Sequence, residues 1–202
     1  IQYRQDQNEL KNILSKIRLQ ELSFKDYERL MKTSNQSFDI EPTKLYTHNM
    51  DVDRINAEEL SKLEGDLYNF EAKTSGNKKM LEGFVKSLLV PETLRLKKGA
   101  KVMFLKNNHE LGVMNGTLGS VTQFIDQKEG RKIPMVQLRN GRVLAVEPEL
   151  WSIDNEKGGR LVSFKQIPLR LAWAMTIHKS EGMTLEAAEI DLSKTFEVGQ
   201  GY

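Results

Sequence analysis

The stretch Leu171-Ala-Trp-Ala-Met-Thr-Ile-His-Lys-Ser-Glu-Gly-Met-Thr-Leu185 decides how this chain of 202 residues is interpreted. Its first half is apolar, whereas its second half places hydroxyl, imidazole, ammonium and carboxylate side chains beside Gly182. Donors at this density next to a glycine suit a loop that closely approaches a phosphate or a nucleic-acid backbone. A structural alternative is a helix that ends at Ser180, with Gly182 as its stop signal. The rest of the chain has to separate the two.

The composition limits the possible classes of protein. Hydrophobic residues make up 39% of the chain, which suffices for one domain or two small ones. Because the net charge is only +2, any binding to nucleic acid has to come from a local arrangement of charges. The absence of cysteine excludes a disulfide scaffold and weakly favours an intracellular protein. No apolar run approaches the roughly 20 residues of a membrane span, so we expect no membrane partner.

Residues 1–72 have the pattern of an α/β layer. Residues 1–6 are predicted to end a strand, and residues 10–17 and 24–31 to form amphipathic helices, the second beginning at Ser23. A short strand is predicted over residues 44–47, with a helix after it. In such layers ligands bind at the carboxyl ends of strands.

The three residues at the end of this strand are therefore candidates for ligand binding: Thr47, His48 and Asn49. The structural alternative for His48 is a helix cap that faces solvent.

Residues 73–79 are predicted to be a flexible polar connection, followed by a helix over residues 80–89 that ends before Pro91. The chain from 94 to 105 is predicted to form two strands around a turn at Gly99.

Residues 108–166 have a different character. Short β-type runs are separated by turn dipeptides such as Asn115-Gly116 and Asn140-Gly141, a spacing typical of a small antiparallel barrel or sandwich. Trp151 is interpreted as a core or interface residue rather than a platform for stacking bases. After Pro168 the α/β pattern resumes, with a helix over Ala172–Ile177 and a buried strand over residues 188–192.

Residues 171–184 resemble motif V of superfamily-one helicases, most closely that of the Pif-type and RecD-like DNA helicases. Three other stretches match in the same order. Tyr3-Arg-Gln-Asp6 is similar to the segment that opens the second RecA-like domain of that family, and residues 47–56 resemble the segment placed against the DNA strand. Residues 98–121 are similar to the run that leads into the family's inserted barrel. The resemblance covers nearly the whole chain, which we expect to be a piece of a longer protein.

The resemblance implies an α/β fold in two parts. Residues 1–110 and 168–202 would form the second RecA-like domain, a parallel sheet with helices of the P-loop NTPase type. Residues 111–167 would form an inserted small antiparallel β-barrel of the Src-homology-three type.

The activity implied by the resemblance is ATP hydrolysis in the cleft between two RecA-like domains, coupled to five-prime-to-three-prime movement along single-stranded DNA. ATP would be bound with Mg²⁺, which the first RecA-like domain would hold. We expect the chain to pair with this first domain and to bind single-stranded DNA. We also expect the protein to be a monomer.

Site residues are carried over position by position. Arg4 is the candidate catalytic residue, because a guanidinium is always charged and suits phosphate oxygens. The candidate nucleotide-binding residues are Arg4, Gln5, Glu181, Gly182 and Thr184. The candidate DNA-binding residues are Thr47, His48, Asn49, Thr176, His178, Lys179 and Ser180. No metal ligand is predicted.

The sequence departs from the family pattern at Glu181, where glutamine is usual. A carboxylate does not donate a hydrogen bond unless it is protonated, and it repels phosphate. The 202 residues also contain no Gly-x4-Gly-Lys-Ser/Thr loop to cradle a phosphate, so we expect them to be inactive alone. Two alternatives stay open: a non-motor module that binds nucleic acid or protein with a degenerate RecA-like domain, and the same motor segment in a RecD-like exonuclease subunit or a transfer relaxase.

Overall fold

A computed structural model describes residues 8–32, 42–46, 49–127, 130–180 and 188–191. The chain divides into two compact units, Pro42–Asp191 and a unit made of Ile1–Glu41 with Leu192–Tyr202. In chain order the described elements are α1 (Asn8–Leu19), α2 (Phe24–Lys32), β1 (Thr43–Tyr46), α3 (Asn49–Lys62), β2 (Tyr68–Glu71), β3 (Lys73–Gly76), α4 (Lys78–Ser87), β4 (Thr93–Leu96), β5 (Lys101–Phe104), β6 (Leu118–Asp126), β7 (Lys132–Leu138), β8 (Val143–Ala145), β9 (Glu149–Asp154), β10 (Arg160–Gln166), β11 (Leu169–Leu171), β12 (Ala174–Thr176), α5 (Ile177–Ser180) and β13 (Ala188–Ile190). None of the helices in these ranges is long and apolar enough to cross a membrane.

The described part of the smaller unit consists of α1 and α2. The Asp26 N–H donates to Ser23 Oγ, and the Ser23 N–H donates back to Asp26 Oδ2, each at a distance of 3.2 Å. This reciprocal pair is a capping box, which confirms the helix start predicted at Ser23. Lys16 of α1 binds the same carboxylate at 2.8 Å. The apolar stripe predicted on α2 is largely exposed, with Phe24 76% exposed.

We expect acid to weaken the contact between α1 and α2. Hydrogen bonds donated by Lys16 and then by Ser23 lower the pKa of Asp26 from 3.8 to about 2. Because the folded-state pKa lies below the unfolded-state value, the stabilisation is present above about pH 4 and is lost as the pH falls through about 2. Amide hydrogen exchange in α2, measured across this range and corrected for intrinsic rates, should show the loss of protection.

Asp26→Asn should have low protection in α2 already near neutral pH, with little further loss in acid. Asp126→Asn, which removes an exposed carboxylate paired with Lys132, is the matched control and should leave α2 unchanged. Equal protection in the wild type and Asp26→Asn near neutral pH would contradict the expectation.

The larger unit contains a parallel sheet with the order β12-β1-β13. Leu45 of β1 pairs with Met175 of β12 on one side and Ile190 of β13 on the other, both in parallel register. The predicted strand near residue 44 and the helix after it are thus confirmed as β1 and α3. β13 confirms a strand at Ala188, but Ile190 is 58% exposed, so the prediction that this strand is buried was wrong.

The other described strands of the larger unit form antiparallel sheets. β11-β5-β6-β7-β8 form a five-stranded sheet, β3-β10-β9 a three-stranded sheet, and β2-β4 a pair. The largest core cluster has Leu96, Val102, Phe104 and Leu169 at its centre, each at most 1% exposed. β3 and β5 lie outside residues 111–167 yet pair with strands inside that range, and β11 pairs with β5. The boundaries of the inserted barrel stay a prediction.

Trp151 is a packing residue, as predicted. It is half-buried and packs against a core cluster that contains Val90 and Phe164, and its ring meets the Phe164 ring edge-on with the centroids 6.2 Å apart. Lys106 Nζ lies over the indole, 5.1 Å from its centroid.

The prediction of a flexible connection over residues 73–79 was wrong. Lys73–Gly76 form the edge strand β3, which pairs with β10. Asn77 then caps α4, its Oδ1 accepting from the Lys79 and Met80 N–H groups at 3.1 and 3.3 Å. A polar edge strand has no buried face to give an alternating pattern. Gly76 is required because its φ is +113° and a Cβ there would overlap the Leu161 carbonyl oxygen.

The prediction of a helix over Ala172–Ile177 was also wrong. Ala174–Thr176 form β12, and the helix is only the single turn α5 at Ile177–Ser180. All three residues of β12 are buried. A short, fully buried apolar run does not distinguish helix from strand by its period, so the pattern was ambiguous.

Candidate nucleic-acid interface

The carboxyl ends of β1 and β12 lie side by side at one edge of the parallel sheet. Tyr46 and Thr176, the last residues of the two strands, are direct neighbours in register. α5 begins at this edge, directly after β12. The structure therefore places Ile177–Ser180, the described polar part of residues 171–185, at the edge where ligands bind in α/β layers.

Thr176 has a positioning role at this edge. Its side chain is buried, and its Oγ1 accepts from the Lys179 N–H at 3.3 Å, which caps α5. A buried hydroxyl does not reach a strand that lies in solvent. The structure thus favours indirect support of the site over the direct DNA contact expected from the sequence.

The three residues after Ile177 present the polar groups of α5. His178 is exposed, while Lys179 and Ser180 are half-buried. The Ser180 hydroxyl donates to the Ile177 carbonyl oxygen at 2.7 Å, so its proton is used within the turn. Burial lowers the pKa of Lys179, and the positive charge of Arg170 lowers it further, whereas Asp53 opposes the shift. Lys179 is thus a cation that has already lost part of its water shell.

Asn56 of α3 fixes β12 from the side opposite to β1. Its Nδ2 donates to the Ala174 carbonyl oxygen at 2.9 Å, and its Oδ1 accepts from the Ala174 N–H at 3.1 Å. Both bonds are buried. They satisfy the backbone groups that β12, an edge strand of this sheet, would otherwise leave without partners. The side chain of Asn56 therefore takes the place of a neighbouring strand.

Two residues of this region were missed from the sequence, Asn56 and Arg170. Asn56 had no signal, because one amide in an amphipathic helix is ordinary. Arg170 had a signal that went unused: it is a single cation between Leu169 and Leu171 in a β-type run. It is only 9% exposed, and burial lowers its pKa.

The remaining candidates lie outside the residues whose side chains the structure describes: Arg4, Gln5, Thr47, His48, Asn49, Glu181, Gly182 and Thr184. Of these, Asn49 is placed by its backbone alone, as the first residue of α3. The described ranges contain no group of three or more His, Asp or Glu side chains that would hold a metal ion.

Comparison with known proteins relates nearly the whole chain to one family of helicases. A family described as "DNA helicase Pif1, 2B domain" matches residues 80–124. The ATP-dependent DNA helicase Pif1 of a Psychrobacter species is 41% identical over 96% of this chain and 36% of its own length. The chain spans about a third of the length of the curated relatives it matches.

Two solved structures from Bacteroides are similar as well. Unliganded Pif1 superimposes with a TM-score of 0.81 at 32% identity, over 98% of this chain and 46% of that one. Pif1 in complex with ADP-AlF3 and single-stranded DNA superimposes with a TM-score of 0.65 at 32% identity, over the same shares of the two chains. In sequence and in fold, this chain is a segment of a Pif1-type helicase.

Proposed function

We propose that this chain is part of the motor of an ATP-dependent DNA helicase, as the second RecA-like domain with its inserted barrel. In this role it moves along single-stranded DNA in the five-prime-to-three-prime direction when paired with a first RecA-like domain. The observation that carries the proposal is the common edge of β1 and β12, from which α5 leads. The similarity to a Bacteroides Pif1 bound to ADP-AlF3 and single-stranded DNA supports both ligands.

The chemistry assigned to this edge is contact with the phosphate backbone, which binds DNA without reading its sequence. Lys179 is the described residue best suited to it. A half-buried ammonium interacts with a phosphate more strongly than a fully hydrated one, because less water has to be displaced and the local dielectric constant is lower. His178 beside it is exposed at the same turn.

ATP with Mg²⁺ belongs to the same proposal. Arg4, Gln5, Glu181, Gly182 and Thr184 would contact the nucleotide, and the metal would be held by the first RecA-like domain. What a bound nucleotide would supply is the free energy of its hydrolysis. The described residues supply the common edge of β1 and β12. Through this edge, a shift near residues 181–184 would be passed to the DNA contacts of α5.

Lys179→Gln in the full-length protein should weaken binding of single-stranded DNA about five- to tenfold near physiological salt, since one phosphate contact is lost. The slope of log K against log salt concentration should become shallower by about 0.7. Fluorescence anisotropy with a labelled oligothymidylate at several salt concentrations measures both quantities.

Lys157→Gln removes the same charge from an exposed turn of the larger unit and is the matched control. An equal loss of affinity in both variants would mean that only bulk charge is sensed, and would contradict the contact. The motor itself is tested by ATP turnover in the full-length wild type. Turnover stimulated by single-stranded DNA supports the helicase, whereas DNA binding without turnover supports the non-motor module.

A further inference from the structure

Arg170 is a buried arginine whose Nε and Nη1 atoms have no hydrogen-bond partner within the described part of the chain. It stands in β11, which pairs with the core strand β5, and it is 9% exposed. A buried guanidinium without partners is costly, and such groups usually mark a missing ligand or ion. The free energy lost here suggests that something outside the described residues completes the site.

Arg170 opens into a cavity of about 770 Å³. The cavity lies among α3, the segment from Leu88 to Lys97, β11 and α5, and all of these belong to the larger unit. Its charged lining residues are Asp53, Arg95, Lys97, Arg170 and Lys179. Four cations thus face one carboxylate, which leaves the cavity with an excess of positive charge.

Three cations of this lining are buried or half-buried, Lys97, Arg170 and Lys179. Lys97 Nζ donates to the Leu63 carbonyl oxygen at 2.7 Å, which leaves the other two as the candidates for binding a ligand. The positive charge of Arg170 lowers the pKa of Lys179, which shows that the two charges repel each other. Asp53 attracts both, but it carries a single negative charge. An anion bound beside the two cations, in addition to Asp53, would relieve their repulsion. It would also accept hydrogen bonds from the Nε and Nη1 atoms of Arg170.

We propose that this cavity binds one phosphate group, held by Arg170 from β11 and Lys179 from α5. A phosphate has several acceptor oxygens, so a guanidinium and an ammonium on different elements can bind it together. The inference rests on the proposed function, since Lys179 also lies at the edge assigned to DNA. The phosphate is either a phosphodiester of the bound strand or a free phosphate ion.

The test uses the full-length protein as wild type, Arg170→Gln, Arg170→Lys and the control Arg160→Gln. Arg160 is 54% exposed at its side chain and pairs with Asp154 in the β9–β10 sheet, so its replacement changes the net charge equally. The affinity for an oligothymidylate is measured at several salt concentrations. The melting temperature is measured with inorganic phosphate and with chloride at matched ionic strength.

If the phosphate belongs to DNA, Arg170→Gln raises Kd about tenfold and reduces the salt slope by about 0.7, while Arg160→Gln changes neither. Arg170→Lys, which keeps the charge, recovers most of the slope. If the phosphate is a free ion, inorganic phosphate raises the melting temperature of the wild type more than that of Arg170→Gln, and DNA affinity is unchanged. Either result supports the site.

The melting temperature distinguishes the proposed phosphate site from a merely structural role of Arg170. The unsatisfied Nε and Nη1 atoms of Arg170 are a destabilising feature of the buried side chain, so in chloride Arg170→Gln should melt at the same temperature as the wild type or higher. A lower melting temperature of Arg170→Gln than of the wild type in chloride would overturn the proposal. Equal DNA affinity, salt slope and phosphate response in the wild type and Arg170→Gln would overturn it as well. If the wild type does not bind the oligonucleotide at all, the proposed function fails, and the response to inorganic phosphate alone decides the anion site.

Discussion

Arg4→Ala in the full-length protein is expected to lower ATP turnover at least about a thousandfold, with binding of ATP largely kept. Hydrolysis of a γ-phosphoryl group requires little covalent help from the protein, and catalysis is mostly positioning and neutralisation of charge. An arginine that enters the site from the second domain acts on the charge that develops in the transition state. Its loss therefore affects turnover much more than ground-state binding.

The measurement is steady-state ATP turnover at saturating single-stranded DNA, together with the affinity for a fluorescent ATP analogue. Arg18→Ala is the matched control, because Arg18 is an exposed arginine near the end of α1 and should leave turnover unchanged. Arg4→Lys should stay slow, since an ammonium lacks the planar fork of a guanidinium. Unchanged turnover in Arg4→Ala would assign Arg4 to structure and remove it from the site.

Local turn chemistry explains which parts of the fold were predictable. Asn140-Gly141 was expected to separate two strands, and β7 and β8 pair directly across it. Gly141 has a φ of +83°, which glycine adopts without strain. Ser23 similarly predicted the start of α2, because its capping box needs only residues that lie close together in sequence. Signals of this kind need no knowledge of the tertiary structure.

Long-range pairing explains what the sequence did not predict. β12 is a strand only because β1, about 130 residues earlier in the chain, lies beside it, and its own apolar run fits a helix equally well. β3 was read as a flexible connection because its polar side chains are all exposed, and its pairing with β10 is made by backbone groups. In both cases a partner strand overrides the local pattern.

The candidate site divides in the same way. The sequence predicted His178 and Lys179 as DNA-binding residues near the end of a helix, and the structure places both on α5, which follows β12 at the carboxyl edge of the sheet. It did not predict that Thr176 faces inward, because the direction of a hydroxyl depends on which side of β12 is covered. Nor did it predict the buried cation at position 170, whose Nε and Nη1 atoms lack hydrogen-bond partners among the residues that the structure describes.

Asn56→Ala is expected to loosen β12 and with it the proposed DNA contacts of α5. The substitution removes two buried hydrogen bonds and leaves the N–H and C=O groups of Ala174 without partners. Unsatisfied buried polar groups cost about 1–3 kcal/mol each, so with two such groups local stability should fall by about 2–6 kcal/mol.

Hydrogen exchange resolved by mass spectrometry in the full-length protein measures this effect where it occurs. A loss of about 2–6 kcal/mol should speed exchange in β12 by roughly 30-fold or more, and lower the affinity for single-stranded DNA to a smaller extent. Asn69→Ala, at an exposed position of β2, is the control and should change the stability by less than about 0.5 kcal/mol. If β12 keeps its protection in Asn56→Ala, the parallel sheet alone holds the strand in place, and α5 does not depend on the contact from α3.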